Sequence, residues 1–479
     1  MKLIFIILVL LIHKISTNFT PFQYQHILNP NDPNNFTFFG QSLSISGNTL
    51  AIGSSNLEGY EKKPGRAYIF ENENNNWNQK ARLNINDGTN GDGFGTSVSI
   101  SNDIVVIGAP FANVSSNISQ GKAYVFKKNG NDWNQVAELI GNNGKPLEGF
   151  GMGVSISGKT IAVGAINGDI NETQNRGCVY IFNGNEDGTI WNQVQQLFSS
   201  DGADSDEFGW GVSISDDSSL ILVTAPNANV GSNQEQGKAY IFQNNGTNWN
   251  ETQILTASDG YENAQFGWSA SSSSDFSFVV IGSPYMNVSS NSTQGQAYIF
   301  QKNGNQWNQI QILIASDGKE GDFFGGITSV SSDSSLIIIG APNADVGSNQ
   351  EQGKAYIFQN NGTNWNQVQI LIASDGNVND QFGTSVLISN QFAIVGASWA
   401  KSNNDEFIQA GKVYLIDNIP PPQPNTSSSS SGTKAAIIVA AIIIPIVIIV
   451  AAIFTIYFVK KKIKQKKMTQ YYSKVRDEL

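Results

Sequence analysis

The sequence predicts an all-β fold: a seven-bladed β-propeller of four-stranded blades, closed by its N-terminal strand and followed by one C-terminal transmembrane helix. Three observations predict the propeller. A Phe-Gly pair recurs at Phe39, Phe94, Phe150, Phe208, Phe266, Phe324 and Phe382, spaced 55, 56, 58, 58, 58 and 58 residues apart. Each interval carries four short segments in the same order, which in the second unit are FGTSVSIS (94–101), DIVVIGAP (103–110), GKAYVF (121–126) and WNQVAELI (133–140). Gly, Asn, Asp and Ser fill the gaps, and no stretch reads as a ten-residue helix. Four short strands at a fixed period mean a propeller, a stacked solenoid or a closed barrel array.

The side chains choose among these. The second segment is apolar throughout (IVVIG, ILVTA, FVVIG, LIIIG), so both of its faces are buried, as in the middle of a blade packed between two neighbours. The first segment alternates Ser with Val or Ile, and such small residues suit the innermost strand, where blades converge on the axis. The last segment opens with Trp77, Trp133, Trp191, Trp249, Trp307 or Trp365 and continues with Asn and Gln, as a half-exposed outer strand should. Propellers hold four to eight such blades. The seventh unit ends at GKVYLI (411–416) with no Trp segment after it, whereas FQYQHIL (22–28) precedes the first Phe-Gly pair. The N-terminal strand is therefore expected to complete the seventh blade and leave no open edge.

The domain boundaries follow: residues 1–17 a signal peptide, 18–416 the propeller, 417–434 a Pro/Ser-rich stalk, 435–459 a transmembrane helix, and 460–479 a basic tail. Lys2 followed by an apolar run to Ile12 has the layout of a secretory signal. The 25 uncharged residues 435–459 would make a helix of about 37 Å, enough to cross a bilayer. Six lysines between 460 and 467 place the tail on the cytoplasmic side, so the expectation is a single-pass type I plasma-membrane protein with its N-terminal domain outside. Between signal and membrane, 18 basic residues face 37 acidic ones, a net charge of −19. That disfavours nucleic acid as a partner and leaves basic ligands and divalent cations open.

The Phe-Gly pairs and the Gly-Ala-Pro that ends the second segment resemble the FG-GAP repeats of integrin α-subunit heads and related surface proteins. The resemblance covers residues 22–416 and implies a seven-bladed propeller used in extracellular binding or adhesion. Integrin-type blades often carry a D-x-D-x-D-G calcium loop between their first two strands. The corresponding turns here read SGN, SND, SGK, SDDSS, SSDFS, SSDSS and SNQ, so no cofactor is certain: Ca²⁺ is possible, but the consensus calcium loops are absent.

Catalysis has little material. His13 falls in the signal and His26 on the closing strand, with no zinc cluster, phosphate loop or nucleophile elbow, so no enzyme is expected. Cys178, the only cysteine, reads as a buried small hydrophobe. Two loops could hold a cation. NGNEDGTIW (183–191) places Trp191 where the acidic closing ligand belongs and reads as a turn; SDGADSDEFG gathers Asp201, Asp204, Asp206 and Glu207.

For binding, the loops joining second to third strands are expected on the face that also carries the blade-to-blade connections. In blades seven and one they break the pattern and bring Trp399, Phe407, Tyr60, Lys62 and Lys63 together, suited to an extracellular protein or glycan ligand. Asparagine glycosylation sequons occur at Asn35, Asn113, Asn117, Asn171, Asn245, Asn250, Asn287, Asn291, Asn361 and Asn425. Those on the loops of blades two, three and five would shield part of this face and leave an arc open at blades six, seven and one. Adhesion or recognition of a protein is the leading reading, with a lectin-like module or a passive surface coat as alternatives.

Overall fold

The computed structural model describes residues 20–33, 35–55, 64–168, 175–402 and 408–417. The expected signal peptide, transmembrane helix and tail, and the stalk beyond Asp417, lie outside the described residues; among those described, no helix is long and apolar enough to cross a membrane. The described strands form seven antiparallel four-stranded sheets. Blade six is representative, with strands Ile327–Val330, Leu336–Ala341, Lys354–Asn360 and Trp365–Leu371. Blade seven joins Phe382–Ile388, Phe392–Ala397 and Lys412–Asp417 to the N-terminal strand Tyr24–Leu28. That strand runs antiparallel to the third, with Tyr24 opposite Asp417 and Leu28 opposite Val413. The first strands of neighbouring blades touch all the way round, so they form the inner ring.

The buried apolar side chains fall into seven clusters, and each belongs to a pair of adjacent blades. Between blades one and two, Ile69 and Leu83 meet Phe94, Val105, Ile107 and Trp133; between blades seven and one, Leu28, Ile394 and Val413 meet Phe39, Ile52 and Trp77. The core therefore lies between sheets rather than within one, which is why the second strands are buried on both faces. Each Phe of a Phe-Gly pair is fully buried and meets the third-strand Tyr of its own blade edge to face, with centroids 5.2–5.6 Å apart. Such pairs contribute about 0.5–1.5 kcal/mol each beyond the area they bury.

The two glycines of the repeat meet across the joints. A Cβ built on Gly108 would lie 2.0 Å from the carbonyl oxygen of Gly151 in the next blade, and one on Gly340 would lie 2.1 Å from that of Gly383. In blades one, two, five and seven a serine at the start of the first strand donates to that carbonyl, as Ser97 Oγ does to Gly151 at 2.8 Å; blades three and six have Gly153 and Ile327 there. Blade four departs from this pattern. Thr224 stands in place of the second-strand glycine and Gly211 in place of the serine, and Thr224 Oγ1 accepts the Gly211 N–H at 2.9 Å.

The outer strands carry a second clasp. The Gln311 side chain accepts the Trp365 N–H at 2.8 Å and donates to the Trp365 carbonyl at 2.7 Å. Gln195 clasps Trp249, Gln253 clasps Trp307, and Gln369 clasps Phe22 of the closing strand in the same way. Blades one and two have Ala81 and Ala137 at this position. The closing strand differs in one respect. Blades one to six carry a bulge between their third and fourth strands, and the pairing of Tyr24–Leu28 has none.

Replacing Gln311 with Ala removes two half-buried hydrogen bonds and leaves their backbone partners unmatched. The expected cost is about 1–3 kcal/mol, read from urea unfolding of the propeller. Ala81→Gly, at a joint without the clasp, loses no such pair.

Candidate functional site: the loop face

The second-to-third-strand loops and the blade connections do share one face, since they bond to each other. Phe94 N–H donates to Pro64 O at 2.8 Å, Phe150 to Gln120 at 2.9 Å, and Phe382 to Gln352 at 2.8 Å. On this face each Phe-Gly pair is held in a tight turn. The residue before the Phe has a positive φ (51° at Phe38, 58° at Glu207, 49° at Gln265, 59° at Phe323), and its carbonyl accepts the N–H of the residue after the Gly. Non-glycine residues seldom adopt that conformation. Here it recurs in every blade, because the turn must send the Phe inward while the residues on either side stay at the face.

In blades four to six those flanking positions hold aromatics. Trp210 and Trp268 each follow a Phe-Gly pair; their rings lie 4.9 Å apart at 44°, and Trp210 Nε1–H donates to the Trp268 carbonyl at 2.8 Å. Tyr285 stands edge-on to Trp268 at 5.5 Å, and Phe323, which precedes the next Phe-Gly pair, stands edge-on to Tyr285 at 4.9 Å. All four are half-buried. The Tyr261 hydroxyl donates to the Tyr285 carbonyl at 3.2 Å and fixes the loop that carries it. Beside them Gln265 Nε2 donates to Asn227 Oδ1 at 3.2 Å, while Gln265 Oε1 is buried with no hydrogen-bond partner. The carboxyl of Glu207, next to Trp210, is raised above its ordinary value, first by burial and then by Glu235. The Trp pair straddles the one joint where Thr224 replaces the glycine.

Trp399 is half-buried and edge-on to Phe38 at 5.4 Å, repeating the Tyr285–Phe323 contact two joints further round. Its expected companions Tyr60, Lys62, Lys63 and Phe407 lie outside the described residues, as do Asn171 and Asn425. Asn35, Asn113, Asn245, Asn250, Asn287 and Asn361 are exposed; Asn117 and Asn291 are half-buried. Two exposed apolar side chains, Ile118 (65%) and Leu147 (64%), adjoin where Leu147 N–H donates to the Ile118 carbonyl at 2.8 Å.

The acidic loop does not come together as a cation site. Asp201 Oδ2 pairs with Lys238 Nζ at 2.6 Å and its Oδ1 accepts the Tyr240 hydroxyl at 3.0 Å. Asp206 closes its own turn by accepting the Ala203 N–H at 2.7 Å, and Asp204 points to Ser205 Oγ at 3.3 Å. Among the described residues, no group of three or more His, Cys, Asp or Glu is arranged to hold a metal. The same clasp recurs as Asp87 with Lys122 and Tyr124, Asp317 with Lys354 and Tyr356, and Asp375 with Lys412 and Tyr414. These acids are structural links between a blade connection and the next blade's third strand. The 183–191 loop is a turn, with Asn185 Oδ1 accepting the Thr189 and Ile190 N–H groups at 2.9 and 3.0 Å. Cys178 is fully buried at the place the lysine takes in other blades, and burial pushes its thiol up. His26 lies 3.7 Å from Asp417 in the closing strand pair.

The fold and this face define a closed seven-bladed propeller that presents aromatic side chains on its loop side. The FG-GAP repeat family model matches seven segments, 22–70, 77–126, 133–182, 191–242, 249–300, 307–358 and 365–416. The chain belongs to the FG-GAP repeat family. Each matched segment begins on an outer strand and runs into the next blade, so the first starts with the closing strand. None of the curated proteins compared with the chain matches it.

Burial is the largest influence on Asp317 and raises it, but the bonds from Lys354 and Tyr356 outweigh it and the carboxyl lies below its ordinary value. A carboxyl lowered by folding contributes stability that is present above its unfolded value and lost as pH falls through its folded one. Asp317→Asn should therefore melt lower than the parent at pH 7, with the gap closing below about pH 4. Melting curves across pH 3–7 check this.

Proposed function

We propose that this protein is a cell-surface recognition or adhesion protein that binds an extracellular protein ligand through the loop face of its propeller, without catalysis. The observation that carries the reading is the half-exposed platform of Trp210, Trp268, Tyr285 and Phe323 on a rigid ring. Aromatic anchors of this kind dominate the energetics of protein interfaces. The direction of the chain supports it. The third strand of blade seven starts at the loop face and ends on the opposite one at Asp417, so the last described residue lies away from the platform. The stalk, hydrophobic segment and lysine cluster of the sequence support a membrane tether with the propeller outside the cell.

A second reading is favoured by one detail. Two adjacent indoles beside the unpaired Gln265 Oε1 suit a sugar ring, stacked on carbon and hydrogen-bonded at a hydroxyl.

Trp268→Ala should weaken attachment of the purified propeller to ligand-bearing cells by about 30-fold or more, the loss typical of an interface hot spot. Asn364→Ala, in a turn on the opposite face, should leave attachment unchanged. Equal attachment by both variants, with matched melting curves, overturns the proposal. Displacement of the parent by a free oligosaccharide would favour the glycan reading.

A further inference from the structure

Two loops each contain a pair of sequons, Asn113 with Asn117 in blade two and Asn287 with Asn291 in blade five. The two asparagines of a pair do different work. Asn113 uses only its carbonyl oxygen, which accepts the Ser119 N–H at 2.9 Å; Asn287 likewise accepts the Thr293 N–H at 2.9 Å. Both are exposed, and the Nδ2 of each makes no hydrogen bond. Blade six confirms that the oxygen alone matters to the loop: there Asp345 Oδ1 takes the same role, accepting the Glu351 N–H at 3.2 Å.

The second asparagine of each pair uses its amide nitrogen instead. Asn117 Nδ2 donates to Gln120 Oε1 at 2.8 Å and to the Gly144 carbonyl at 3.1 Å, joining the loop to the neighbouring blade connection. Asn291 Nδ2 donates to Gln294 Oε1 at 2.8 Å and to the Gly318 carbonyl at 3.2 Å. Gln120 and Gln294 are themselves buried, at 2% and 3% exposure. The same two bonds come from Asn233 and Asn349 in blades four and six, where no Ser or Thr follows to make a sequon. This asparagine is thus a part of the loop, and its sequon in blades two and five is incidental.

An N-linked oligosaccharide replaces one of the two Nδ2 hydrogens. At Asn117 or Asn291 both hydrogens are committed, so a sugar would break one bond and occupy the space of a buried glutamine or of the adjoining backbone. At Asn113 or Asn287 it would extend into solvent with the loop's own bond intact. We infer that the folded protein carries N-glycans at Asn113 and Asn287 and none at Asn117 and Asn291. The inference rests on the reading of the propeller as exported. Asn287 lies two residues from Tyr285, so its glycan would stand at the rim of the aromatic platform.

The test is the full chain expressed in glycosylating eukaryotic cells, with N113D, N117D, N287D and N291D compared by gel mobility before and after enzymatic deglycosylation and by melting temperature. N113D and N287D should each run faster by one oligosaccharide and melt as the deglycosylated parent does, since aspartate already serves in blade six. N117D and N291D should keep the parent's mobility and melt lower, because a carboxylate cannot donate to Gln120 and Gly144 or to Gln294 and Gly318. Faster mobility in N117D or N291D overturns the inference, as does unchanged mobility in N113D or N287D. Glycopeptides at Asn245 and Asn361, whose Nδ2 atoms are also unengaged, separate the causes. Sugar at those two with none at Asn113 or Asn287 overturns this inference alone; sugar at no sequon overturns it together with the exported reading.

Discussion

Where one blade meets the next, two backbones come closer than any side chain allows, and the repeated motif follows from that approach. The glycine ending the second strand faces the carbonyl of the next blade's Phe-Gly, with no space for a methyl group. That contact sets how tightly the sheets wedge together at the axis. The Phe beside the second glycine is then pinned under its own blade's tyrosine, and the tyrosine hydroxyl reaches the acid of the preceding connection. One motif therefore links inner ring, interblade core and loop face. Blade four is the exception: Thr224 stands where the glycine does elsewhere, and its hydroxyl takes the N–H of Gly211 on the first strand.

The same turn explains why a binding face can be built without disturbing the core. Its geometry fixes where the Phe goes and leaves the residues before and after the pair to vary. They are Gly93 and Thr96 in blade two, Glu207 and Trp210 in blade four, and Phe323 and Gly326 in blade six. Structural demand and recognition are thus divided between adjacent positions in the chain. The platform sits on Phe-Gly turns whose closing main-chain bond recurs in every blade.

Much of this architecture was readable in the chain. The period, the buried second strand and the missing Trp segment gave the blade count and the closure, because each reflects a repeated steric requirement. What escaped was whatever depends on the neighbouring blade. The acids at 201–207 look like a cation loop in isolation, and only the position of Lys238 and Tyr240, about forty residues on, reveals that Asp201 is already used. Trp210 and Trp268 were hidden for a related reason. They are 58 residues apart in the chain and one blade apart in space, and the available signal was the single residue following each Phe-Gly pair. The bulge in six outer strands, absent from the seventh, leaves no trace in composition at all.

The pairing of Tyr24–Leu28 with Lys412–Asp417 has a consequence in time as well as space. During synthesis the first strand emerges long before its partner, and nearly the whole propeller must be made while that strand waits. Until the two strands dock, Lys412–Asp417 has no neighbour on one side, and the sheet of blade seven is an open template for other chains. A ring of this kind has a late, long-range closing step, which makes assembly slow and exposes partly built forms to association. Closure thereby distinguishes a finished ring from a partial one: only a propeller that has both Tyr24–Leu28 and Lys412–Asp417 can hide its last edge.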